Sequence, residues 1–130
     1  MADEKNAVGW FEIPVAGMER AIRFYEGVFG VKLERNTVGP LDMALFPMAG
    51  DAPNAAGSLV HHAEFYRPSS TDGVLIYFTS PSGDVANELD KVEQFGGKLL
   101  RHKTPVGEAF GFMGLFLDSE GNRIAVHSRN

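Results

Sequence analysis

The sequence contains no cysteine. That single absence excludes disulfides, thiolate metal sites and thiol nucleophiles together. Long apolar runs are missing too, and no stretch approaches the roughly 20 residues a membrane helix needs, so no membrane partner is expected. The opening Met1-Ala2-Asp3-Glu4-Lys5-Asn6 lacks the apolar stretch of a signal peptide, which points to a cytoplasmic protein. Basic residues are few: 12 Lys and Arg stand against 17 Asp and Glu, giving a net charge of −5 with the two signs interspersed. No basic stripe exists to follow a phosphate backbone, so nucleic acid is not an expected partner. Mild acidity suits a cationic ligand, or simply keeps the chain dissolved.

What is present is ordinary for one globular domain, residues 1–130. Hydrophobic residues make up 44% and charged residues 22%, enough to build a core. Residues 9–15 alternate, with Phe11, Ile13 and Val15 on one face and Trp10, Glu12 and Pro14 on the other, as in a strand. Met18, Ala21, Ile22, Tyr25 and Phe29 then recur at helical spacing, and Gly30 follows where a left-handed cap favours glycine. Strands are expected near residues 31–37, 43–48 and 57–62. Residues 64–73 are rich in turn formers and read as a linker. The order then repeats. A strand is expected at 74–79, a helix carrying Val85, Ala86, Leu89, Val92 and Phe95, and strands at 98–103, 112–117 and 123–127.

The repetition is visible in the residues themselves. Gly30-Val31-Lys32-Leu33 matches Gly96-Gly97-Lys98-Leu99, Met43-Ala44-Leu45-Phe46 matches Met113-Gly114-Leu115-Phe116, and Leu59-Val60-His61 matches Ala125-Val126-His127. Three matches in order, on either side of a linker, indicate duplication. Module one covers about 8–63 and module two about 74–128. Two units are too few for a solenoid, so the halves must close on each other.

The run Val15-Ala16-Gly17-Met18-Glu19-Arg20-Ala21-Ile22-Arg23-Phe24-Tyr25 through Gly30 resembles the first helix of the vicinal oxygen chelate superfamily, which includes glyoxalase I, bleomycin-resistance proteins and extradiol dioxygenases. Residues 117–124, with the acidic turn Asp118-Ser119-Glu120-Gly121-Asn122, resemble its closing strands. The resemblance implies an α+β fold in which two βαβββ modules form a U-shaped, cup-like mixed sheet. Helices would lie on the outer side and a small-molecule ligand inside. It also implies a homodimer, since many relatives pair their sheets, and pairing covers strand edges and apolar surface.

Metal-dependent relatives take His, Gln or Glu ligands from the first and last strands of each module. Residue by residue, those positions fall on Trp10, Leu59, Val74 and Ala125, none of which coordinates a metal. No cofactor is therefore expected, and the reading is a small-molecule-binding, glyoxalase-like protein with scope for lyase or isomerase activity. Moving the alignment by two residues lands on Glu12, His61, Ile76 and His127, roughly 7 Å along the strands. Glu12, His61 and His127 are then the candidate catalytic residues, or ligands of a displaced divalent ion such as Zn, Ni, Mn or Fe. Equally, they are plain polar wall, with Arg101 or Arg123 pairing Glu12. A third alternative is a drug-sequestering, resistance-type protein. Trp10, Phe78 and Arg123 are the candidate ligand contacts, because the predicted alternation turns them toward the cup.

Overall fold

The computed structural model describes residues 6–130. Ten elements follow in chain order: β1 (Trp10–Pro14), α1 (Met18–Phe29), β2 (Glu34–Val38), β3 (Leu41–Leu45), β4 (Ala56–His61), β5 (Ile76–Thr79), α2 (Val85–Leu89), β6 (Lys98–Gly107), β7 (Gly111–Leu117) and β8 (Arg123–Ser128). This is strand, helix, three strands, repeated. Each unit forms a four-stranded mixed sheet, ordered β1-β4-β3-β2 and β5-β8-β7-β6. The first and last strands of each unit pair in parallel, and the remaining pairs are antiparallel. Among the described residues no helix is long and apolar enough to cross a membrane.

The amphipathic spacing of residues 18–29 gives α1 a buried face of Met18, Ala21, Phe24, Tyr25, Val28 and Phe29. Gly30 ends it at φ 66°, donating its N–H to the Glu26 carbonyl. Within the helix, a Cβ on Gly27 would enter the Phe95 ring, so glycine is what lets α1 approach module two. The helix-side residues of both sheets and both helices share one core. At its centre the rings of Phe11, Tyr25, Phe29, Phe46 and Phe78 meet at centroid distances between 4.7 and 6.0 Å. Phe11 and Phe78 come from different modules, so the two halves are packed through aromatic contact.

Five elements differ from the sequence expectation: β3 runs Leu41–Leu45 rather than 43–48, β6 extends to Gly107 rather than 103, and three others differ as follows. The second helix is regular only over Val85–Leu89; beyond it, Val92 N–H bonds Leu89 O and Gly96 N–H bonds Glu93 O, the tighter three-residue spacing. The apolar spacing survives this change, and Val92 is fully buried. β2 begins at Glu34 rather than Val31, because the Leu33 N–H is taken by the Glu26 carboxylate at 2.8 Å instead of by a strand. β5 begins at Ile76, leaving Val74 outside the strand and 89% exposed.

The acidic turn between β7 and β8 ties the modules together. Gly17, the residue that opens α1, has no side chain to cap the helix. Glu120, from the far end of the chain, accepts the N–H groups of Ala16 (2.9 Å) and Gly17 (2.6 Å) and binds the Arg20 guanidinium. Asp118 accepts the Tyr25 hydroxyl at 2.6 Å, and Asn122 donates to the Pro14 carbonyl at 2.8 Å. Burial acts to raise the Glu120 carboxyl, but its bonds from Arg20, Gly17, Ser119 and Ala16 win and hold it at about 2. Burial pushes Asp118 upward, against the hydrogen bonds from Tyr25 and Asn122. Burial and the neighbouring Asp118 also lift the Tyr25 hydroxyl well above its ordinary value.

A depressed carboxyl contributes stability that is complete above its ordinary value and lost as pH falls through the folded one. Glu120→Ala is therefore expected to lose about 1–3 kcal/mol at neutral pH, since donors at the helix start are left unpaired. In urea unfolding, the gap between wild type and variant should close as pH falls from 4.5 toward about 2. A gap that stays constant over that window would remove Glu120 from this role.

Candidate functional site

β1 and β5 are edge strands, each paired on one side only. They lie along each other without forming a ladder, and between them runs a concavity of about 800 Å³. Its walls are residues 10–12 of β1 and 74–79 around β5; the segments 6–8 and 54–55 close its ends. Phe11 and Phe78 form the floor, with their rings edge to face at 5.6 Å.

Strand pairing decides which side chains look into this groove, because paired residues share a face. On β1, Phe11 and Ile13 point to the helices, and Trp10, Glu12 and Pro14 to the opposite, open face, as the alternation predicts. On β8, Ile124 and Val126 belong to the core, which leaves Arg123, Ala125 and His127 on the open face. Tyr77 and Thr79 share that face, since they pair with Ala125 and His127.

Two expected faces are overturned. Leu59 pairs with Ile13 and Ala44 in the core, so it faces the helices rather than the cup. His61 shares its side: it pairs with Asp42, which binds Arg35, and Arg35 also bonds Glu19 of α1. His61 Nδ1 lies 3.0 Å from the Val15 carbonyl. The cause is a one-residue slip in the internal repeat. Met43 pairs with Val60 and its counterpart Met113 pairs with His127, so Val60, not His61, is the equivalent of His127. A slip of one residue reverses every face. Phe78 likewise faces the core, because it pairs with Val126 and the counterpart of Glu12 is Tyr77, again one residue out of step with the expected match of Trp10 to Val74; its ring reaches the groove only as floor.

The three candidate catalytic side chains thus do not share one face. Glu12 stands in the groove, His61 lies on the helix side, and His127 on the open face of module two bonds the Phe110 carbonyl. Glu12 is held in place: it accepts the Tyr66 hydroxyl at 2.6 Å and the Trp10 indole N–H at 3.3 Å. The Tyr66 bond to Glu12, then partial burial, then the Glu12 charge raise the Tyr66 hydroxyl above its ordinary value. Tyr77 was readable from the alternation of residues 76–79. Tyr66 was not, because it arrives from the linker through a bridge to His62 that no periodicity announces.

The donor chemistry does not fit a metal site of the kind metal-dependent relatives build. The open faces of β1, β4, β5 and β8 carry Trp10, Glu12, Ser58, Val60, Tyr77, Thr79, Arg123, Ala125 and His127. Only Glu12 and His127 are strong ligands among these, and both are already hydrogen-bonded. Among the described residues, no three His, Asp or Glu side chains gather to hold an ion.

Residues 7–126 match the family described as the Glyoxalase/Bleomycin resistance protein/Dioxygenase superfamily. The chain belongs to this superfamily. Among solved structures, a glyoxalase I mutant from Zea mays is similar at TM-score 0.72 and 21% identity, over 93% of this chain and 46% of the maize chain. The chain therefore spans just under half of that protein. TnmS3, an antibiotic binding protein from Streptomyces sp. CB03234, aligns at TM-score 0.66 and 21% identity over 99% of this chain and 100% of its own. A glyoxalase/bleomycin resistance protein from Albidiferax ferrireducens T118 aligns at TM-score 0.67 and 13% identity, over 96% and 100%. No curated protein matches the sequence. At these identities the structural likeness establishes the superfamily fold and leaves the activity to the site.

Elemental analysis of dialysed, tag-free protein is expected to find well below one equivalent of zinc, nickel, manganese or iron. A stoichiometric metal that Glu12→Gln releases would show that Glu12 ligates despite its two hydrogen bonds.

Proposed function

We propose that the chain is a small-molecule-binding protein whose ligand lies in the groove between β1 and β5, against Trp10 and Tyr77. The observation that carries this reading is the exposure of two large aromatic side chains on the groove walls: Trp10 is 41% and Tyr77 53% accessible. A flat apolar ligand would cover both rings, and the volume falls within the roughly 300–1,000 Å³ of drug-sized sites. Glu12, positioned by Tyr66 and Trp10, supplies one fixed acceptor for a ligand N–H, O–H or cation. Among the described lining residues it is the single carboxylate, and no histidine joins it. Both bonds to Glu12 occupy the lone pairs it would use as a base, which favours binding over lyase or isomerase chemistry. TnmS3 is an antibiotic binding protein, a role of the same kind. We also propose a homodimer, because Val38 of edge strand β2 is exposed on the open face that carries Trp10 and Tyr77. Light scattering at about twice the chain mass supports it, and a monomer at micromolar concentration rules it out.

Trp10 is the chain's one tryptophan, so its emission reports on the groove directly. Titration with a panel of planar aromatic compounds, cationic and neutral, is expected to give at least one saturable change. For that compound, Trp10→Ala should weaken binding about tenfold or more, measured by calorimetry, while stability shifts by less than about 1 kcal/mol. The compound should be recovered unaltered. Unchanged affinity in Trp10→Ala would displace the ligand from this groove.

A further inference from the structure

Beyond the groove, a second hollow of about 270 Å³ opens where β1, the start of β8 and the 64–73 linker meet. It is too small for a drug-sized ligand and suits a fragment or the end of a larger molecule. Its apolar walls include Pro14, Val74 and Ile76, and Arg67 and Arg123 supply its cations. Arg123 is half-buried, and its Nε is buried with no hydrogen-bond partner among the described residues. Neither Arg67 nor Arg123 appears in any ion pair among those residues. The one carboxylate on the rim, Glu12, is turned to Tyr66 and Trp10 instead. The Nε itself is closed off from solvent, so an acceptor in the hollow would meet the remainder of the two guanidinium groups, which no carboxylate engages among the described residues.

We infer that this hollow is an anion subsite for a small carboxylate with an apolar body. Two guanidinium groups against one rim carboxylate leave one positive charge to neutralise, which calls for a monoanion. Guanidinium matches a carboxylate through paired, parallel N–H···O bonds. The surrounding Pro14, Val74 and Ile76 disfavour a fully hydrated ion and favour a hydrocarbon portion next to the charge. The subsite is held open by the clasp between the modules beside it. Asn122 donates to the Pro14 carbonyl and accepts the Ser69 N–H at 3.2 Å, which fixes β1, the linker and the start of β8 relative to one another. The subsite does not depend on the groove reading, although Glu12, Val74 and Ile76 border both spaces, so one ligand can reach from one to the other.

The test uses the full chain and three isosteric probes: benzoate, benzamide and benzylammonium, followed by calorimetry and amide chemical shifts. Benzoate is expected to bind with roughly millimolar affinity and to shift the amides of Arg67, Ser69 and residues 122–124, whereas benzamide and benzylammonium bind at least about tenfold more weakly. Arg123→Met, which keeps the stem and removes the charge, should weaken benzoate about tenfold or more. Arg67→Gln at the more exposed edge should weaken it by a smaller factor, and it stands in if Arg123→Met does not fold. Tyr77→Ala, which touches neither the hollow nor Glu12, should leave benzoate affinity unchanged, which separates failure of the subsite from failure of the groove. Equal binding of benzoate and benzamide would overturn the inference. So would benzoate affinity that is indifferent to both arginine substitutions, or inorganic phosphate binding as tightly as benzoate.

Discussion

The Glu120 carboxylate, fully buried at the start of α1, is the interaction on which the rest of the arrangement depends. Helix α1 begins at a glycine that offers no side-chain acceptor, and the N–H groups of Ala16 and Gly17 that lead into it take an oxygen from elsewhere. That oxygen comes from a residue about a hundred positions away, in the turn that closes module two. A local requirement of module one is thereby met only when both modules are folded. The same turn sends Asp118 to Tyr25 and Asn122 to Pro14, so three consecutive structural needs converge on five residues. Cooperation between modules follows directly from this shared dependence.

The clasp also explains where the open spaces lie. It anchors β1 to the start of β8 at one end, and the Phe11–Phe78 contact joins β1 to β5 beneath. Neither link supplies backbone pairing between β1 and β5, whose facing edges stay unladdered. Edges left unpaired inside a fold are normally covered or filled. Here the gap widens into the groove beside Trp10 and Tyr77 and narrows into the arginine-lined hollow beside the clasp. Glu12 sits between the two, which is why a single carboxylate bounds both.

Membership of the superfamily places this chain among proteins that share a scaffold and differ in what their open faces carry. On this scaffold, the open faces of the first and last strands carry one carboxylate, Glu12, and one imidazole, His127, among tryptophan, serine, valine, tyrosine, threonine, arginine and alanine. The face has been given over to apolar and aromatic contact with one fixed acceptor.

The duplication, the span of α1 and the faces of β1 and β8 were legible in the sequence, because period-two and helical spacing are local properties. Glu12 and Trp10 were placed correctly on the open face for that reason. The faces of Leu59, His61 and Phe78 were not legible, since a repeat can be out of step by one residue without any change in composition. Only the pairing of Met43 with Val60 and of Met113 with His127 reveals that step. The contacts of Tyr66 with Glu12 and the isolation of Arg123 also belong to the tertiary structure, because each depends on where the linker crosses β1. The sequence by itself determined the elements and the family resemblance. Register between strands, and with it the composition of the groove, was decided by long-range hydrogen bonding that no local pattern encodes.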